Sequence, residues 1–224
     1  MARGICGDWA INVCHGLCTD DKALHLKEWS VAKMRPQKLS REQLLQYCMP
    51  VFKQHGYQGT SMAMLASACD LTKGAFYYEY QDKESLVADM LSYVHQLVDH
   101  KLFSLVYEAS SAQSRYQRLH EQAVKFFSQG GMGCLVAVIG GEARYLSPSL
   151  LALTQQFFTR WQQAMQVLFD EVYPKAQADA LAKQSVADYE GAILLGRIYD
   201  DPSYLQAVYE RIDAQLASKP VLAN

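Results

Sequence analysis

The stretch "TSMAMLASACDLTKGAFYYEY", Thr60 to Tyr80, constrains this chain more than any other. Thr60 is placed to cap a short helix that carries Met62, Leu65 and Ala66, and Thr72 to cap another that runs through Tyr78. Cys69, Asp70 and Leu71 are all that separates them, which is room for a tight turn and nothing else. Two short helices across such a turn make a helix-turn-helix. Downstream, Asp82 is placed to cap a long helix predicted from Lys83 toward Ala109.

The rest of the pattern is helical too. Ser40-Arg41-Glu42-Gln43 is a capping box, and Leu44, Leu45, Met49, Val51 and Phe52 then give one apolar face. Gly56 suits the end of that helix, whereas Pro50 inside it removes a backbone donor and predicts a kink. Further helices are predicted near 114–129, 134–145, 149–173, 176–199 and 202–217, with breaks at Gly130-Gly131, Pro148, Pro174 and Pro202. No strand period or repeat interrupts them. The expected fold is all-α: an N-terminal three-helix helix-turn-helix domain over 34–86, then a helical effector and dimerisation domain over 87–224.

In a helix-turn-helix the second helix enters the major groove, and its first residues meet base edges. Leu71, Phe76 and Tyr80 fall on the side that must pack inward. Thr72, Lys73, Ala75, Tyr77 and Tyr78 fall on the other side, and Gly74 has no side chain to hold a backbone off. Lys73 and Lys83 can neutralise phosphates, while the tyrosine hydroxyls can donate to phosphates or bases.

Composition permits this reading. Half the residues are hydrophobic and the net charge is −2, but residues 34–86 carry six Lys/Arg against five acids and residues 87–224 eleven against fourteen. The longest apolar run, near Cys134 to Ile139, is far short of a membrane span. The first residues lack the marks of a signal peptide, so the expected location is the cytoplasm. The six cysteines are scattered, which is not a disulfide framework, and Cys48 and Cys69 read as packing residues. Residues 1–33 have no clean period. They read either as an extension upstream of a start at Met34, or as a metal site from Cys14, His15, Cys18 and His25, whose spacing matches zinc sites poorly. No metalloprotease, P-loop, nucleophile-elbow or dinucleotide fingerprint is present, so the expectation is a non-enzyme without metal or cofactor.

The segment "GYQGTSMAMLASACDLTKGAFYYEYQDKESL" closely resembles the DNA-binding signature of TetR-type transcriptional regulators: Gly56, Tyr57, Thr60, Ser61, Thr72, Gly74, Phe76, Tyr77, Tyr80, Lys83, Glu84 and Leu86 fall on pattern. Asp70 replaces the usual turn glycine, a departure that aspartate's tolerance of left-handed backbone accommodates. The resemblance implies backbone contacts to operator DNA from Thr60, Tyr77 and Lys83, with Thr72, Lys73, Ala75 and Tyr78 nearest the bases. It also implies a homodimer through the last two helices and an unidentified small-molecule effector. Ala187, Gly191, Ala192 and Gly196, with Ile193, Ile198, Leu205, Val208 and Ile212, are the candidate dimer residues.

"GGMGCLVAVIGGEARYL" is similar to a subgroup that includes NemR-like and AcuR-like repressors. In NemR-like proteins a cysteine in the corresponding Gly-Cys-Leu responds to electrophiles and oxidants, and Cys134 stands there. A helix N-terminus would lower its thiol pKa; as a buried small hydrophobe it would instead be inert. A conventional pocket would draw on Phe126, Phe127, Phe157, Phe158, Trp161 and Met165, with Glu142, Arg144 and Tyr145 as polar anchors. The reading is a DNA-binding regulator, a repressor released by a small molecule or an electrophile. The alternative is a helical ligand- or partner-binding protein whose heads do not bind DNA. Activation in place of repression is also compatible with the sequence.

Overall fold

The computed structural model describes residues 39–128 and 133–217, and of residues 128 and 143–146 the backbone alone. The N-terminal segment with Cys14, His15, Cys18 and His25 lies outside the described residues. Nine α-helices occur among them, with no strand.

The head consists of α1 (Arg41–His55), α2 (Met62–Ala68) and α3 (Lys73–Glu79). The capping box at its entry is complete: Ser40 Oγ accepts from Gln43 N at 3.2 Å, and Ser40 N donates to Gln43 Oε1 at 2.9 Å. Pro50 does not end α1. Its missing donor would have served the carbonyl of Gln46, and both residues are exposed, so water can take that place. Gly56 closes the helix at φ +69°, and Asp70 supplies the left-handed turn residue at φ +51°. Leu44, Leu45, Cys48, Phe52, Leu65, Cys69 and Phe76 form the buried centre of the head.

One helix joins the head to the remainder. α4 (Lys83–Lys101) opens on Asp82, whose carboxylate accepts from Ser85 N at 2.7 Å. It stops short of the predicted Ala109: a 3-10 turn over Phe103–Tyr107 takes over, turning Phe103 and Val106 into the core. Arg115 holds that turn by donating to the Val106 carbonyl at 2.5 Å.

The C-terminal part consists of α5 (Ala112–Ser128), α6 (Leu135–Leu146), α7 (Pro148–Phe169), α8 (Lys175–Tyr199) and α9 (Ser203–Leu216). Gly140 lets α6 and α7 meet closely, since a Cβ there would stand 2.6 Å from Thr154 Cγ2. Between α5, α8 and α9 runs a polar chain. Tyr116 Oη and Tyr189 Oη lie 2.8 Å apart, and Tyr189 Oη lies 2.8 Å from His120 Nδ1. Burial pushes the His120 pKa down, and the imidazole and the two hydroxyls form one buried hydrogen-bonded chain.

Candidate nucleic-acid interface

α3 is built around a single anchor. Phe76 is fully buried, while Thr72, Lys73, Gly74, Ala75, Tyr77 and Tyr78 are all exposed, Tyr78 to 83%. Thr72 Oγ1 accepts from Ala75 N at 3.2 Å and fixes the start of the helix. A Cβ at Gly74 would meet nothing within 4 Å, so packing inside the chain gives no reason for a glycine there. The Lys73 ammonium stands 5.9 Å from the Tyr77 ring centroid, a cation–π contact that keeps both on the same outer surface.

Two predicted backbone contacts are placed differently. Thr60 is 1% exposed and its hydroxyl donates to the Gly56 carbonyl at 2.6 Å, so its side chain faces the end of α1 and not solvent. Ser61 is the residue that caps α2, accepting from Met64 N at 3.3 Å. Lys83 is half-buried. Its ammonium donates to the Tyr57 and Thr60 carbonyls at 2.6 and 2.7 Å and lies 4.3 Å from the Tyr57 ring centroid. A lysine so engaged stitches α4 to the loop between α1 and α2.

That loop is held from its other side by α6. Glu142 accepts from Tyr57 N at 3.0 Å and from Gln58 N at 2.8 Å. A Cβ on Gly56 would collide with the same carboxylate. Glu142, predicted as a pocket anchor, therefore faces the head. Ser149 adds a second link by donating to Glu84 Oε1 at 2.8 Å.

Of the candidate effector residues, Phe157 and Trp161 come together in a buried aromatic cluster, 6.3 Å between centroids, joined by Phe103 and Phe127. The Trp161 indole N–H is buried without a hydrogen-bond partner among the described residues. The Tyr145 and Arg144 side chains lie outside the described residues. Cys134 stands at the start of α6, where its Sγ accepts from Ala137 N at 3.4 Å. The expected lowering of its thiol pKa is reversed. Burial pushes it well up, the neighbouring Glu190 pushes the same way, and the helix amides do not compensate. Among the described residues no three His, Cys, Asp or Glu side chains group as metal ligands, and no helix is long and apolar enough to cross a membrane.

Residues 44–90 match the family model described as bacterial regulatory proteins, tetR family, and residues 109–211 match the LmrA/YxaF-like transcriptional regulator C-terminal domain. The chain belongs to the TetR family of transcriptional regulators. Among curated relatives, it is 24% identical to the HTH-type transcriptional repressor DhaR of Mycobacterium sp. (strain GP1), over 70% of this chain and 82% of DhaR. It is 28% identical to the uncharacterized regulator YuxN of Bacillus subtilis (strain 168), over 34% of this chain but only 26% of YuxN. A TetR regulator from Legionella pneumophila shares the fold with a TM-score of 0.73 at 22% identity, covering 80% of this chain and 98% of that one. Reduced NemR of E. coli gives 0.66 at 20% identity over 77% and 94%, a likeness of fold. Membership of the TetR family makes this a transcriptional regulator and not an enzyme.

Proposed function

We propose that this TetR-family regulator is a repressor that binds operator DNA as a homodimer and is released by a small molecule bound among the C-terminal helices. The observation that carries the DNA reading is the exposed set Thr72, Lys73, Gly74, Ala75, Tyr77 and Tyr78 arranged about one buried anchor, Phe76. Such a set suits an external surface, because among the described residues only the Thr72 cap and the Lys73–Tyr77 contact, both local to α3, engage it. Tyr77 and Lys73 meet phosphates in this reading, and Thr72, Ala75 and Tyr78 approach the bases.

Dimerisation is assigned to the outer face of α8, where Ala187, Leu194, Leu195 and Ile198 follow one another at helical spacing and are exposed among the described residues, with the half-exposed Gly191 between them. Ile193, Leu205, Val208 and Ile212 are buried within the protomer and belong to its own core.

For the effector, the Phe157–Trp161 cluster with an unpartnered indole N–H favours a reversible, largely apolar ligand carrying a hydrogen-bond acceptor. Covalent modification of Cys134 by an electrophile is the second reading, supported by its place at the Gly-Cys-Leu of the motif.

The test is a mobility shift at fixed salt on DNA flanking the protein's own gene, repeated with candidate apolar ligands and with a quinone, for wild type and Cys134→Ser. A specific shift lost with a ligand in both proteins supports the reversible reading. Loss with quinone in the wild type alone moves the assignment to Cys134, and no specific shift at all overturns the DNA reading.

A further inference from the structure

The head contains a feature that operator binding does not use. Cys48, in the interior of α1, and Cys69, which ends α2, bring their sulfurs to 3.8 Å of each other although 21 residues separate them. Both are buried, at 0% and 5% exposure. Neither is bonded to another cysteine. We propose that this pair is a redox modification site, which a hydroperoxide converts to an intradomain disulfide that releases the head from DNA. The proposal rests on the DNA-binding reading above only for its release step.

The two thiols are not equivalent. Either sulfur can donate in their mutual contact, and Cys69 Sγ also donates to the Leu44 carbonyl at 3.8 Å. The contact pushes the Cys48 thiol pKa up and the Cys69 one down, while burial pushes both up. Cys69 also sits at a helix end beside the exposed Asp70, whereas Cys48 lies behind it. Cys69, next to the exposed turn, is therefore assigned the attack on access alone, since the C-terminal end of a helix does not favour a thiolate.

Its sulfur displaces one oxygen of the peroxide, giving a Cys69 sulfenic acid and releasing water once a proton is taken up. The Cys48 sulfur then attacks the Cys69 sulfur, the S–O bond breaks, and a second water leaves with the Cys48 proton. Overall, two thiols and one hydroperoxide give one disulfide, one water and one alcohol, or two waters from hydrogen peroxide. The sulfur atoms lose two electrons and the O–O bond gains them.

Closure has a mechanical consequence. A disulfide bond is about 2.05 Å long, well inside the present 3.8 Å separation. In this proposal Cys69, at the end of α2, moves toward Cys48, which is wholly buried within α1. Cys69 is tied to Leu65 and Ala66 by its amide at 3.2 Å, and the next residues are the turn that launches α3. A displacement there carries Thr72 and Lys73 with it, and binding constellations tolerate only about 0.5 Å of misplacement.

The experiment uses the full chain, reduced, freed of reductant and exposed to hydrogen peroxide, then alkylated and digested with trypsin without reduction. Cleavage after Arg41, Lys53 and Lys73 puts Cys48 in peptide 42–53 and Cys69 in peptide 54–73, each with no other cysteine. A linked 42–53/54–73 species is expected, together with loss of the shifted DNA band over the same peroxide range. Dithiothreitol should reverse both, and Cys69→Ala should keep its band under peroxide. The band should still be lost in Cys134→Ser, which separates this site from the effector domain. The proposal is overturned if both peptides stay alkylated, if Cys69 pairs with another cysteine, or if the linked species forms while the shift persists. A reduced protein that shifts no DNA would overturn the DNA reading and the release step together, while the peptide map would still decide the disulfide.

Discussion

At the residue level, Gly74 isolates the contribution of DNA from that of folding. A methyl group there meets nothing within 4 Å, and alanine favours a helix over glycine by about 1 kcal/mol. Gly74→Ala should leave Tm unchanged or raise it, yet weaken the mobility shift, because the added carbon stands where nucleic acid approaches. An undiminished shift would remove Gly74 from the interface. Lys73→Ala should weaken binding to all sequences and lower the slope of log affinity against log salt by about one. Tyr78→Ala should instead reduce the preference for operator over random DNA. These exposed positions were legible in the sequence because a period that buries Phe76 must expose its neighbours. The fates of Thr60 and Lys83 were not: a hydroxyl or an ammonium is equally satisfied by a phosphate or by an internal carbonyl, and only the path of the loop decides.

At the level of elements, the loop between α1 and α2 is gripped by a carboxylate from α6 and an ammonium from α4. Glu142→Ala removes two charge-assisted hydrogen bonds, each exposed on one side. The expected loss is about 2 kcal/mol, since bonds to charged groups contribute roughly 1.5–3 kcal/mol each before solvent weakens them. In a protein of this length that lowers Tm by roughly 4–8 °C. Thermal unfolding checks the magnitude, and faster amide exchange at Tyr57 and Gln58 checks the place; an unchanged exchange rate would show that the clamp is idle. Glu142 was invisible from sequence, because it lies 85 residues from Tyr57 and its helical period fits a pocket equally well. The meeting of Cys48 with Cys69 was hidden for the same reason.

The α5–α8–α9 core makes a prediction about pH. His120 is held neutral in the folded state by burial, so its folded pKa lies below the ordinary value of 6.5. As pH falls through 6.5, the unfolded chain takes up a proton that the folded chain refuses, and stability drops. Above that pH both states are neutral and the contribution is flat. Glu190, whose carboxyl is raised by burial, works in the opposite direction, and Asp89, lowered by Arg41, acts only in more acidic solution. Replacing His120 with Gln should flatten the fall of Tm on crossing pH 6.5, and an unaltered slope would remove His120 as its source.

For the molecule as a whole, the proposed dimer face on α8 is the feature by which two heads would act together. Asp in place of Leu194 and Ile198, which are 57% and 62% exposed, should leave the protomer folded, because neither side chain contributes to its core. Sedimentation should then show a monomer, and the operator shift should fail, since one head gains nothing from its partner. A double variant that remains dimeric would move the interface elsewhere. The all-α architecture and the order of its helices were legible from caps, prolines and apolar periods. The end of α4 was overestimated, because the pattern through Phe103 and Val106 suits a continuing helix and a 3-10 turn alike. Which apolar face of α8 is internal was equally beyond the sequence: Ile193 and Ile198 have the same chemistry and opposite environments.

The single anchor of α3 bears on how such a protein changes over generations. Because Phe76 alone secures the helix inward, the outward positions around it, apart from the capping Thr72, are nearly free of obligations to the fold. A duplicated gene could therefore exchange those letters one at a time, each step, on the proposed DNA reading, altering the DNA address while leaving the fold in place. Vocabulary and scaffold can drift apart in this chain, and new regulatory circuits could arise from it without first passing through misfolded ancestors.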